Sequence, residues 1–129
     1  MGAHLIRDVM RPAVTSVERS AHLAAAAYLM KQENDSALVV VSSDEQTTPL
    51  AILTDTDISH AVADGLDLNS VRISDLVRRE PTTVSPDTSV RDAAELMVKS
   101  HFRHLPVVDA GKLVGIVDIA DVCRGLLDT

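Results

Sequence analysis

The sequence is poor in aromatic residues and in positive charge. Its 129 residues include one Phe, one Tyr and no Trp, and the net charge is −7. Nucleic-acid binders need basic surfaces and often aromatic rings that stack on bases, so no nucleic-acid partner is expected. No apolar run reaches the roughly 18–20 residues of a membrane span, and the N-terminus lacks the apolar stretch of a signal peptide. These absences predict a cytoplasmic protein without a membrane partner.

Residues suited to metal binding or catalysis are also scarce. The single cysteine, Cys123, excludes an intramolecular disulfide, fits a reducing compartment and is expected to be buried. His101 and His104 lie three positions apart, but no third histidine or cysteine clusters with them, so a metal site is not expected. Because no Ser/His/Asp pairing, Cys/His pairing or glycine-rich phosphate loop is found, we expect no catalytic residues and no enzyme.

The sequence does contain an internal repeat. Residues 7–42 align without a gap with residues 74–109, and 11 of the 36 aligned pairs are identical, among them Arg11 and Arg78. Chance would give roughly two or three. Two copies of one unit in so short a chain predict a pseudo-two-fold fold with matched clefts between the halves.

The repeat also sets the domain boundaries that we expect. A second aligned block pairs residues 50–63 with residues 114–127. The boundaries that follow are a first repeat at 1–64, a polar connector at 65–73 and a second repeat at 74–129.

Both copies have the same pattern of apolar residues, which predicts strand, helix, strand, strand, helix and hence an α+β fold. Expected strands are 13–17, 37–41 and 50–53 in the first copy, and 81–84, 105–108 and 113–117 in the second. Expected buried helix faces are Leu23, Ala26, Ala27 and Met30; Ile58, Ala61 and Val62; Val90, Ala93, Ala94, Met97 and Val98; and Ile119, Val122, Cys123, Leu126 and Leu127. The last set is more apolar than so small a half-unit can cover, which predicts a homodimer.

A short polar pattern follows the last strand of each copy. Thr54 precedes Asp57 by three positions, and Asp118 precedes Asp121 by the same spacing. Such a pattern is typical of a helix capping box, in which each side chain accepts a backbone N–H of the other residue. The same arrangement directs free amides toward a ligand phosphate and offers a carboxylate to the hydroxyls of a ribose. Spacing alone leaves both interpretations open.

These segments, together with Phe102-Arg103-His104-Leu105-Pro106-Val107-Val108-Asp109, resemble a tandem pair of CBS domains, the Bateman module. The resemblance covers the chain from about Asp8 to Leu127. It implies a regulatory module that binds AMP, ADP, ATP, S-adenosylmethionine or a related adenosyl ligand between the repeats, without a resident cofactor.

The resemblance also implies two clefts, each with residues from both copies. The first would use Thr54, Asp57, Thr82, Thr83, Val84, Arg103, His104, Leu105 and Pro106. The second would use Thr15, Ser16, Val17, Ser36, Ala37, Leu38, Asp118 and Asp121.

The two clefts are expected to differ. Asp118 places a negative charge where Thr54 has a hydroxyl, at the point that a ligand phosphate would approach. Two like charges about 4 Å apart cost roughly 4 kcal/mol at an effective dielectric constant of 20. The second cleft also has Val39 where the first has Pro106. We therefore expect the second cleft to bind nucleotides more weakly.

Two other classes of function remain open at this stage. The repeats could form a protein-interaction module with empty clefts, in which the acids serve only as caps, or a subunit that contributes to a shared active site. If the module is regulatory, we expect it to act on a separate protein or through the dimer itself.

Overall fold

The computed structural model describes residues 4–12, 14–42, 48–77 and 80–128. Ala13, at the start of one expected strand, lies outside them. The chain forms two compact units, one of residues 15–81 and one of residues 1–14 together with 82–129. We call them the first-copy unit and the second-copy unit. The N-terminal segment thus packs with the second copy, although it precedes the first in sequence.

The helices and strands follow the predicted order, apart from the strand expected at 81–84 and two additional short helices. They are α1 (Ile6–Val9), β1 (Ser16–Glu18), α2 (Leu23–Glu33), β2 (Ala37–Val41), β3 (Ala51–Thr54), α3 (Asp55–Ala63), α4 (Ile73–Leu76), α5 (Val90–Ser100), β4 (His104–Asp109), β5 (Lys112–Asp118) and α6 (Ile119–Leu127). The α+β class is confirmed.

The first-copy unit contains a three-stranded sheet in the order β1-β2-β3. Strand β1 pairs in parallel with β2, and β2 pairs antiparallel with β3. All five residues of β2 are buried, as its unbroken run of apolar residues predicts for a central strand. The start of β2 and the end of β3 therefore share one edge of the sheet, and α3 begins at that edge.

The second-copy unit contains an antiparallel hairpin of β4 and β5. Ala110 and Gly111 form its turn with φ values of 51° and 81°, the left-handed pair of a type I′ turn. The strand expected at 81–84 is reduced to a single parallel bridge between Val84 and Val107. Val84 nevertheless makes two backbone hydrogen bonds, donating to the Pro106 carbonyl at 3.1 Å and accepting from the Val108 amide at 2.8 Å.

Each unit has its own core, and the long helices bury most of the expected faces. Leu23, Ala26 and Met30 are buried in α2, and Val90, Ala93 and Met97 in α5. Val98 is 72% exposed, so its place on the buried face of α5 was predicted wrongly. The five apolar positions of α5 span a wider arc of the helix than its core contact covers, and Val98 lies outside that contact.

The prediction for the two closing helices was wrong at several positions. Ala61 and Val122 are buried, whereas Val62, Ile119, Leu126 and Leu127 are exposed. Cys123 is also exposed, contrary to the buried role expected for it. Helices α3 and α6 bury only a narrow strip of their surface against their own unit. Small residues, Ala61 in α3 and Gly125 in α6, lie on that strip.

Two short helices, α1 and α4, were not predicted. Each precedes its repeat and has one fully buried residue, Ile6 in α1 and Ile73 in α4. At four residues each, they are too short to show the periodicity that identifies a longer helix. In the part of the chain that the structure describes, no helix is long and apolar enough to cross a membrane.

Candidate functional site

The first cap joins the end of β3 to the start of α3. The Asp57 carboxylate Oδ2 accepts hydrogen bonds from the Thr54 amide at 2.8 Å and from the Thr54 hydroxyl at 3.0 Å. The Asp57 amide in turn donates to Thr54 Oγ1 at 3.3 Å. This is a complete capping box, and its second carboxylate oxygen, Oδ1, has no hydrogen-bond partner among the described residues.

The second cap joins the end of β5 to the start of α6. The Asp118 amide donates to Asp121 Oδ2 at 3.0 Å, and the Asp121 amide donates to Asp118 Oδ1 at 2.8 Å. Both predicted capping boxes are therefore present. Only 5% of Asp121 is exposed, whereas Asp57 is half-buried.

In the first-copy unit, the sheet gathers several predicted ligand residues near its cap. Ala37 pairs with Thr54 across β2 and β3, and Ser16 pairs with Val39 across β1 and β2. The Asp55 amide, at the start of α3, donates to the Ser36 carbonyl at 2.9 Å. Thr15, Ser16, Val17, Ser36, Ala37 and Leu38 are thus in the same unit as Thr54 and Asp57.

The second-copy unit has the matching arrangement. His104 pairs with Asp118 across β4 and β5, and the Ile119 amide donates to the Arg103 carbonyl at 3.0 Å. Val84 lies beside Pro106 through the hydrogen bond described above. Thr82, Thr83, Val84, Arg103, His104, Leu105 and Pro106 thus belong to the same unit as Asp118 and Asp121.

Each predicted cleft draws its residues from both units. The contacts above bring together residues within one unit, and the grouping of Thr54 and Asp57 with the 82–84 and 103–106 segments stays a prediction. The grouping of Asp118 and Asp121 with the 15–17 and 36–38 segments stays a prediction for the same reason.

The sequence analysis missed the role of Arg11. This residue lies beside the second cap, with its Nη2 3.6 Å from Asp118 Oδ2 and its Nε 3.7 Å from Asp121 Oδ2. Arg124 Nη2 contacts Asp121 Oδ1 at 2.8 Å from the opposite side. Arg11 is one of the identical pairs of the repeat, with Arg78, and that identity was the available signal; Arg78 lies outside the described residues.

These arginines change the electrostatic argument for the second cap. Two carboxylates and two guanidinium groups sum to zero charge, so the estimate of about 4 kcal/mol for repulsion omitted the compensating charges. Burial raises the pKa of Asp118, but the hydrogen bonds with Asp121 and the charges of Arg11 and His104 outweigh it, and the pKa lies below its ordinary value. Asp118 is accordingly ionised at neutral pH and paired.

A metal site has no support in the described residues, where no group of three or more His, Cys, Asp or Glu side chains is placed to hold an ion. The cap carboxylates are engaged by backbone amides and by guanidinium groups instead. Their chemistry is that of hydrogen-bond acceptors.

Comparison with known proteins defines the class. Two stretches of the chain, residues 6–64 and 73–128, match the CBS domain family model, and the chain belongs to this family. It is 36% identical over 118 residues to the CBS domain-containing protein YhcV of Bacillus subtilis, covering 91% of this chain and 81% of that protein. A pair of CBS domains such as this one is a regulatory module and not an enzyme.

Two solved structures are also similar. The CBS domain protein PAE2072 of Pyrobaculum aerophilum, complexed with AMP, superposes with a TM-score of 0.86 at 28% identity, covering 92% of this chain and 90% of that one. The hexameric CBS-CP12 protein from bloom-forming cyanobacteria superposes with a TM-score of 0.84 at 28% identity, covering 95% of this chain and 71% of that one.

Proposed function

We propose that this CBS pair senses an adenosyl ligand, AMP, ADP, ATP or S-adenosylmethionine, in the cytoplasm and regulates a separate protein. The observation that carries the proposal is the AMP complex of the similar Pyrobaculum protein. It is combined with a first cap in which Asp57 Oδ1 has no hydrogen-bond partner among the described residues. The ligand site proposed is the one that contains Thr54 and Asp57.

The chemistry of the first cap suits a ribose. Asp57 Oδ2 is engaged by Thr54, which fixes the orientation of the carboxylate, and Oδ1 can accept a hydroxyl hydrogen bond. A carboxylate that accepts from both hydroxyls of a ribose gains charge-assisted bonds, which are roughly twice as strong as neutral ones. The amides at the start of α3 favour a nearby phosphate.

The other residues of the proposed site would hold the base and the phosphate. Arg103 is exposed and has the cationic fork that binds phosphate oxygens. Pro106 and Leu105 are buried, and backbone groups near them would contact adenine. These assignments, with Thr82, Thr83, Val84 and His104, follow from the family resemblance.

The decisive experiment combines a ligand panel with one conservative substitution. We expect a thermal shift with at least one of AMP, ADP, ATP and S-adenosylmethionine, because a ligand at 100 times its dissociation constant adds about 2.7 kcal/mol to stability. Asp57→Asn should lower ligand affinity at least tenfold, because it weakens bonds worth about 1.5–3 kcal/mol each.

Arg103→Ala is the matched control, since it should weaken AMP binding in a salt-dependent way and affect adenosine much less.

Two outcomes separate the proposal from its alternative. If Asp57→Asn binds every ligand as the parent does, the site assignment is wrong. If the parent binds none of them, the chain is an interaction module whose acids are caps.

We further propose that the protein is a homodimer. In the second-copy unit, large apolar side chains stand exposed on α5 and α6: Val98, Ile119, Leu126 and Leu127. Val98 and Leu126 line one shallow groove of that unit. Val62 of α3, in the first-copy unit, is exposed as well. Exposed apolar surface of this kind is typical of protein contacts. The hexameric cyanobacterial relative is a precedent for self-association in this fold. Light scattering at micromolar concentration should give twice the chain mass of 13.8 kDa, and a monomer mass would contradict the proposal.

A further inference from the structure

We infer that Arg11, together with Arg124, closes the Asp121 carboxylate of the second cap to ligands. The inference rests on the proposed function, since it concerns the Asp121 carboxylate as a counterpart of Asp57. It goes beyond it by assigning a role to Arg11 and Arg124.

The first step is the occupancy of the Asp121 carboxylate. Oδ1 contacts Arg124 at 2.8 Å, and Oδ2 accepts from the Asp118 amide at 3.0 Å with Arg11 Nε 3.7 Å away. Only 7% of the Asp121 side chain is exposed. A ribose hydroxyl would have to compete with a guanidinium group for this carboxylate, and the guanidinium contact joins two charged groups.

The second step is how firmly Arg11 is held there. Its amide donates to the Ile116 carbonyl at 2.9 Å, and its carbonyl accepts from the Ile116 amide at 3.0 Å, so Arg11 forms an antiparallel bridge with Ile116 of β5. Gly115 permits this approach, because a Cβ at that position would lie 2.9 Å from the Arg11 carbonyl oxygen. These contacts fix the backbone of Arg11 beside β5 and so keep its guanidinium near the second cap.

The third step is the contrast with the first cap. Ala51 stands in the position of Gly115, His60 in that of Arg124 and Thr54 in that of Asp118. The first cap thus has a hydroxyl where the second has the Asp118 carboxylate, and a Cβ where the second has no room for one. The counterpart of Arg11 in the repeat, Arg78, lies outside the described residues. In the first cap, Asp57 Oδ1 has no hydrogen-bond partner among the described residues. In the second cap, both carboxylate oxygens of Asp121 are engaged.

Charge predicts how the second cap should respond to substitution. Arg11→Gln keeps a polar side chain, shortens it and leaves two carboxylates with one guanidinium, a net charge of −1. This variant should expose Asp121 to an uncharged ligand and disfavour phosphate. Asp118→Thr leaves one carboxylate with two guanidinium groups, a net charge of +1, and should instead favour phosphate.

The test is the calorimetric stoichiometry of adenosine and of AMP, measured on the full chain. We expect one site per chain in the parent, a second adenosine site with at least tenfold improved affinity in Arg11→Gln, and a second site that prefers AMP in Asp118→Thr. Arg7→Gln is the matched control, because Arg7 lies on the same segment but pairs with Asp87, away from the cap. Its stoichiometry should equal that of the parent.

Every outcome decides the inference. If Arg11→Gln does not fold, Arg124→Gln, which alters a side chain 60% exposed, should open the same carboxylate. One adenosine per chain in whichever of these variants folds, two equal sites in the parent, or loss of AMP binding in Arg11→Gln would overturn the inference while leaving the proposed function intact. A parent without a site and an Arg11→Gln variant with one would support the inference and reject the Thr54/Asp57 assignment. If neither the parent nor any variant binds, both fail.

Discussion

The two caps of this protein share a backbone design and differ in charge. At each, a polar residue ends a strand and an acid three positions on closes a capping box. The first cap has a half-buried Asp57 hydrogen-bonded to a neutral hydroxyl. The second has a buried Asp121 held among Asp118, Arg11 and Arg124. The duplicated element therefore keeps its hydrogen-bond pattern in both copies while its charged neighbours differ.

The difference also shows what a charge pattern in a sequence omits. Asp118 and Asp121 predict repulsion of phosphate when they are considered with their sequence neighbours alone. Arg11, more than 100 positions away in sequence, neutralises them because the N-terminal segment packs with the second copy. The repulsion expected from Asp118 and Asp121 is physically correct for the two acids alone, but it leaves out the arginine that pairs with them.

The largest expected effect is on stability, from removing each cap acid in turn. Asp121→Ala should lower the free energy of unfolding by about 2–3 kcal/mol, because it leaves the Asp118 amide and the Arg124 guanidinium without this acceptor and removes one of the two carboxylates beside Arg11. Asp57→Ala should cost about 1 kcal/mol, the usual value for losing a capping interaction. Urea denaturation of both variants measures the difference, and equal losses would show that the two caps are energetically alike.

A second comparison exchanges the small residues beneath the caps. Gly115→Ala should cost about 1–3 kcal/mol, because the added Cβ meets the Arg11 carbonyl oxygen at 2.9 Å and a packed backbone must move. The reverse change at the matching position, Ala51→Gly, should cost about 0.5–1 kcal/mol through backbone entropy. Thermal denaturation distinguishes the two, and a neutral Gly115→Ala would mean that the N-terminal segment is held more loosely than its hydrogen bonds indicate.

Most of the fold could be predicted from the sequence because its signals are local or repeated. The duplicated pattern identified the element order, and the apolar run 37–41 identified β2. Exposure on the outer side of α6 could not be predicted, since Leu126 and Leu127 continue an apolar pattern that no other part of their unit covers. At the caps, spacing predicted the hydrogen bonds, but the Arg11 contact depends on which unit the N-terminal segment joins.

The smallest effect concerns acid, and it tests whether Asp118 is a paired carboxylate. Its pKa in the folded protein is lowered, so ionised Asp118 contributes stability that is fully present above its unfolded pKa of about 3.9 and is lost as pH falls through the folded value. Asp118→Asn keeps a cap acceptor and removes the charge. The stability difference between parent and Asp118→Asn should therefore be largest at pH 5–7 and shrink below about pH 4.

A neutral cap supplies the control for that measurement. Ser89 caps α5 by accepting from the Asp92 amide at 3.0 Å, so Ser89→Ala should cost about 1 kcal/mol by a contact that does not itself titrate. Its difference from the parent should change far less with pH than that of Asp118→Asn. If both differences follow the same pH course in urea denaturation, the acid dependence belongs to the whole fold. Arg11 then does not hold Asp118 as an ion pair, and the contrast between the two caps would rest on burial alone.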